Sequence, residues 1–259
     1  MRFRPAAAAA LAMTTLVGLA AYLWPFFASP AFATSYGQDA PWLFAALLGL
    51  MALVVLAEVT ANGLDAKTVA VLGVLAAAGG AMRVLSAGTA GLEPIFVIFV
   101  LGGRVLGRSM GFLMGSLAML AGAFLTAGVG PWLPFQMLGA GWVALGAALL
   151  PRATGRIELA LLAGYGAFAG FAYGALLNLW FWPFLTPGSA PTGAGFVPGD
   201  PAAANLAHYA VFYVATSLGW DVPRSVLTAV LILIAGRSML ATLRRAVRRA
   251  AFGEVARFD

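Results

Sequence analysis

Long apolar runs, broken by short polar or Gly/Pro-rich segments, fill most of the chain. They fall at about 6–27, 42–60, 67–85, 93–107, 110–127, 134–150, 158–182 and 207–243, the last with a short leading segment before Pro223. A helix needs about 20 apolar residues to cross the hydrocarbon core of a bilayer. The pattern therefore predicts an all-α integral membrane protein with about eight transmembrane helices. Its clearest unit runs from Arg108 to Arg152 with no charged residue between them. Two apolar runs, 110–127 and 135–150, flank the turn T-A-G-V-G-P-W-L-P-F-Q at 126–136. This is a membrane hairpin with arginine at its open ends and a turn rich in aromatic, amide and backbone groups. Such a turn, held between two apolar helices, suits ligand holding better than hydrolytic chemistry.

The basic residues give the hairpin a direction. With both termini cytoplasmic, thirteen of the 15 Lys and Arg residues fall inside, and only Arg83 and Arg224 fall outside. That is the positive-inside bias, and the reverse orientation would invert it. Glu58, Asp65 and Lys67 then mark the inner turn after the second span, and the Gly/Pro-rich stretch 183–205 reads as an irregular outer lid or surface loop. The basic end of the last helix, Arg244, Arg245, Arg248 and Arg249, reads as contact with anionic lipid headgroups. The first span also imitates a secretory signal, with Arg2 and Arg4 ahead of it and a small-residue site, S-P-A-F-A, at 29–33. Its length and its exit through Trp24, Pro25, Phe26 and Phe27 favour a retained helix with an interfacial aromatic belt.

Composition sharpens this class and removes others. Hydrophobic residues make up 62% and charged residues 9%, against about 25% charged in soluble proteins. The net charge of +6 does not point to nucleic acid, because the arginines sit at span ends and in the tail. There is no cysteine, so no disulfide, thiolate nucleophile or Cys-ligated metal is expected. No phosphate-binding G-x-x-x-x-G-K-[ST] loop occurs, and the chain cannot hydrolyse ATP in the usual way. His208 is the only histidine, which leaves neither a histidine metal site nor a Ser-His dyad in prospect. No metal and no permanently bound cofactor are expected, and any uphill transport needs a partner to supply the energy.

The remaining chemistry is sparse and gathers near the outer surface. Arg83 and Glu93 stand ten residues apart across a short outer turn, as a structural pair or as ligand contacts. Gln136 and Asn178 sit at outer span ends, where their amides could serve a neutral polar ligand or hold helices together. Thr126, His208, Asp221 and Arg224 are the other outer polar groups. Aromatic residues accompany them, among them Trp180 and Trp220, and these read as an interfacial belt. Trp132, inside the turn, reads as a ligand contact. The third span carries a ladder of small residues, Gly73, Ala77 and Ala81, with Ala76 and Gly80 beside it. Four-residue spacing puts the ladder on one face, smooth enough for close packing within the protein or against a partner.

Several phrases go beyond a generic membrane protein. GGRVLG at 102–107, GFLMG at 111–115, GVGPWLPFQM at 128–137, NLWFWPF at 178–184 and TSLGWD at 216–221 resemble the substrate-binding S components of energy-coupling-factor (ECF) vitamin transporters. The resemblance covers roughly the last three quarters of the chain, and the branch it is most similar to is the one predicted to take up cobalamin. It implies a six-helix core at 65–250, preceded by an added pair of helices at 1–64 and followed by a cytoplasmic tail at 251–259. It also implies a prokaryotic plasma membrane, and a vitamin, cobalamin or a related corrinoid, captured at the outer face. Arg83, Glu93, Trp132, Gln136, Asn178, Trp180 and Trp220 would then be the substrate-binding residues. The partners implied are a transmembrane T protein and two cytoplasmic ATPases, which alone use ATP. Docking would use Gly73, Ala77 and Ala81 on the first core helix, with glycine standing where the family's pattern begins with alanine. In the family the S component topples in the membrane on the T protein. The competing expectations are a stand-alone facilitator or channel for a small neutral solute and, with still less support from the residues, an intramembrane enzyme.

Overall fold

A computed structural model describes residues 5–27, 46, 49, 53, 66–86, 88–185 and 190–255. Among them lie eight α-helices: α1 (Pro5–Leu23), α2 (Ala66–Ser86), α3 (Ile95–Leu106), α4 (Arg108–Leu125), α5 (Leu133–Leu149), α6 (Gly155–Phe181), α7 (Ala202–Thr216) and α8 (Leu218–Val255). No strand occurs among the described residues, and the chain is an all-α membrane protein. Five of its helical segments are long and apolar enough to cross a membrane. The second expected span, 42–60, lies outside the described residues apart from isolated positions. So do Arg2, Arg4, the small-residue site at 29–33, Glu58, Asp65, the Lys67 side chain and Arg257.

The outer surface is apolar, with Leu16, Val74, Leu85, Phe124, Phe168 and Ile234 all exposed. A contiguous apolar exterior of this kind suits lipid rather than water. The interior is built around α3. Its twelve residues span only about 18 Å, short of a ~30 Å hydrocarbon core. Nine of the twelve are buried, so a helix that is apolar all round is enclosed by protein instead of lipid. Glycine lets its neighbours close on it. A Cβ on Gly103 would lie 2.0 Å from the Ala144 carbonyl oxygen of α5, and one on Gly115 of α4 would lie 2.5 Å from that of Ala140. Backbones in this contact leave no room for a side chain, which is how small residues replace the hydrophobic effect between membrane helices.

Alternating direction gives the bundle two distinct ends. At one, Arg104 reaches the Leu150 and Pro151 carbonyls and Glu158. At the other, α2 ends, α3 begins and the 126–132 turn joins α4 to α5. The first helix is part of this packing. Tyr22 is fully buried and donates to the Phe135 carbonyl at 2.7 Å, and Trp142 Nε1 donates to Thr15 Oγ1 at 3.2 Å. Helix α1 thus runs antiparallel to α5, and it starts at the Arg104 end.

One expectation is corrected. The apolar run 207–243 is two helices, not one span with a leader ending at Pro223. The break falls at Ser217, and Pro223 sits inside α8. Thr216 turns its hydroxyl back to the Phe212 carbonyl and lies beside the Ser217 hydroxyl, local bonds that an apolar run does not advertise. The stretch 183–205 is irregular, as expected, over its described residues up to Pro201, and it is tied down by hydrogen bonds. Trp182 Nε1 donates to the Ala194 carbonyl at 2.6 Å, Asn205 brackets Val197 through both its N–H and its carbonyl, and α7 already begins at Ala202. Tyr209 of α7 packs on Trp182 and Phe26, so α7 caps the turn end of α1 and α6.

Candidate functional site

A cavity of about 350 Å³ opens at the turn end, lined by Arg83, Ser86, Glu93, Ile95, Met119, Thr126, Gln136, Tyr173, Leu177 and Arg224. Six helices, α2 to α6 and α8, and the segment before α3 contribute to it. The packing that forms it is readable in α6 and α8. Gly166, Gly170 and Gly174 recur every four residues on α6, and they face Thr228, Ser225 and Asp221 of α8. A Cβ on Gly174 would come within 2.1 Å of both Asp221 carboxylate oxygens. The glycines therefore draw the start of α8 against α6 and bring Arg224 inside the bundle.

Arg224 is buried and organises one wall. It donates to Glu93 Oε1 at 2.9 Å, to the Gly170 carbonyl at 3.3 Å and to Asp221 Oδ1. Its guanidinium carbon lies 5.4 Å from the Phe96 ring centre and 5.5 Å from that of Tyr173. Aromatic faces at that distance add cation–π attraction. On the opposite wall Arg83 crosses Gly122 of α4, where a Cβ would lie 2.5 Å from its Cδ. It donates to Gln136 Oε1 at 2.9 Å and reaches the Met119 sulfur.

Arg83, Glu93 and Gln136, chosen from sequence, thus share one cavity. Arg83 and Glu93 do not pair with each other: Glu93 pairs with Arg224, and Arg83 with Gln136. The other four chosen residues lie elsewhere. Asn178 bonds the Ser217 hydroxyl and ties α6 to the α7–α8 break. Trp132 is 38% exposed and donates to the Gly128 carbonyl at 3.0 Å. Trp180 joins it in an aromatic patch with Phe135, Phe181 and Phe184. Trp220 is half exposed, and its carbonyl packs on Gly91. Sequence reasoning gave Arg224 no ligand role and passed over Tyr173. The G-x-x-x-G-x-x-x-G ladder at 166–174 was the available signal for both, because it fixes which face of α6 meets α8.

The small-residue face of α2 divides in two. Gly79 and Gly80 pack inward on Ala118 and Ala121 of α4, and Ala76 is buried. Gly73, Ala77 and Ala81 are exposed, with nothing within 4 Å of a Cβ placed on Gly73. Among the described residues no three or more His, Asp or Glu side chains form a group that could hold a metal ion. The cavity offers hydrogen bonds and fixed charges, which are the means of binding.

Fold and site together define an all-α membrane protein with a charged cavity at one end of its helix bundle. No protein-family model, curated protein or solved structure matches the chain.

Proposed function

We propose that the chain is the membrane-embedded, solute-binding subunit of an ECF-type importer. It would capture a vitamin at the outer face and deliver it with a T protein and two cytoplasmic ATPases. The observation that carries this reading is the charged, half-open cavity at the turn end. Ionisable groups within membrane helices are expensive and usually serve a site, and this end is the outer one if the arginine-rich end faces the cytoplasm. The exposed face of Gly73, Ala77 and Ala81 supports docking of the T protein, since neighbouring small residues already meet the internal packing needs of α2.

The resemblance favours a corrinoid as substrate. The cavity favours something smaller, because about 350 Å³ is near the low end of the ~300–1,000 Å³ typical for drug-sized ligands. Cobalamin, which is much larger, would need the walls to open. Calorimetric titration of the purified chain with cobalamin, riboflavin, biotin and thiamine tests the reading. One-to-one binding of any of them without partners is expected, and uptake into vesicles should require the T protein, the ATPases and ATP. Flux through vesicles holding this chain alone would replace the reading with that of a facilitator.

A further inference from the structure

The charges at the cavity are paired unevenly. Arg83, Glu93 and Arg224 line it, and Asp221 stands directly behind Arg224. Their formal charges cancel, but Arg224 takes both carboxylates, at Glu93 Oε1 and Asp221 Oδ1. Arg83 is left with neutral partners, the Gln136 amide oxygen and the Met119 sulfur. A guanidinium presents a planar fork of donors that matches a carboxylate with two parallel hydrogen bonds. Gln136 accepts from Arg83 through its oxygen, so its amide NH2 adds a pair of donors on the same wall.

We propose that the cavity takes a small ligand bearing a single carboxylate, held by Arg83 and Gln136, with an N–H or O–H group of the ligand turned to Glu93. The proposal rests on the binding-subunit reading and names its substrate class. A cationic ligand would compete with Arg224 for Glu93 and leave Arg83 with no counter-charge. A dianionic phosphate would bring a second negative charge beside Glu93, with one guanidinium to meet it. A wholly neutral ligand would leave Arg83 as it stands, a partly buried cation with neutral partners and no counter-charge. A monocarboxylate gives every charge an opposite neighbour, and the cavity volume suits a molecule of that size.

The test uses matched pairs that differ at the acid: biotin and biotinamide, nicotinate and nicotinamide, pantothenate and panthenol. Each is titrated into the purified full chain in detergent beside cobalamin and riboflavin. In at least one pair the acid should bind about tenfold to a hundredfold more tightly than its neutral partner, the worth of a charge-assisted hydrogen bond. Arg83→Gln should remove that preference, and Arg83→Lys should restore part of it. Unchanged elution and helix content of both variants guard against misfolding. Equal binding within every pair, or acid binding that survives Arg83→Gln, overturns the proposal. Binding of cobalamin or riboflavin with no acid bound overturns it too, yet leaves the binding-subunit reading in place. Silence from the whole panel overturns both.

Discussion

Two arginine–carboxylate clusters occupy opposite ends of the bundle, and they are built differently. At the basic end Glu158 of α6 is buried and receives both Arg104 of α3, at 3.0 Å, and Arg244 of α8, at 2.6 Å. Arg104 spends all three of its nitrogens, on Glu158 and on the Leu150 and Pro151 carbonyls. At the turn end, Arg224 Nε finds no hydrogen-bond partner, and Arg83 meets only neutral groups. In the first cluster Arg104 has every donor satisfied, while in the second an arginine stands beside a cavity without a counter-ion. Saturation is the mark of a structural clasp, and unused capacity is the mark of a site.

The sharpest way to break this contrast is Glu158→Gln. It removes the charge that two arginines from different helices share, and Arg104, only 10% exposed at its side chain, is left without a counter-ion. Breaking a buried pair from one side costs about 3–5 kcal/mol. Arg244 is 42% exposed at its side chain and can turn to water, so the lower end of that range is expected. Thermal unfolding in detergent should show the loss, while ligand affinity measured well below the transition stays unchanged. Affinity that falls with stability would mean that the two ends are coupled through α3 or α6, and the division into clasp and site would fail.

Next in size is Gly174→Ala, which acts on the other cluster without altering any charge. The added methyl group would lie about 2 Å from the Asp221 carboxylate oxygens, so α8 must move away from α6. Overpacking of this kind costs about 1–3 kcal/mol. It should also weaken ligand binding, because Arg224 moves with Asp221 and carries Glu93 along. Gly164→Ala on the same helix is the control, since a Cβ there meets nothing within 4 Å, and it should leave both stability and binding intact. Equal effects from the two substitutions would remove the α6 ladder as the device that sets the site.

How much of this was legible in the sequence differs between the two ends. The apolar run lengths gave the all-α membrane class, and the uncharged stretch from Arg108 to Arg152 gave the hairpin of α4 and α5. Arg83, Glu93 and Gln136 were found because a polar residue at a span end is conspicuous against an apolar background. Their partners were not found. Glu93 and Arg224 stand 131 positions apart, and no local periodicity tells which arginine a carboxylate will meet. The ladder at 166–174, rather than the one on α2, carries the contact that brings Arg224 inward. Ser217 escaped for a different reason: the bonds around it are confined to a single turn, and Pro223, the louder signal, is accommodated near the start of α8.

The smallest expected effect decides whether the cavity or the aromatic patch beside it is the binding surface. Trp132 stood out in the sequence as the turn's ligand contact, yet its ring lies against Gly130 and edge-on to Trp180 at 6.1 Å, outside the cavity lining. Gln136, one helical turn further on, is inside it. Trp132→Ala should cost about 0.5–1.5 kcal/mol of stability, the worth of an aromatic contact, and change affinity less than about twofold, within the spread of a neutral contact. Gln136→Ala should weaken binding about fivefold, the value of one hydrogen bond of ~1 kcal/mol. The reverse order would move the ligand out of the charged cavity and onto the Trp132–Trp180 patch. Trp132, Phe181 and Phe184 on that patch are exposed, and a corrinoid would then regain the advantage that a 350 Å³ cavity denies it.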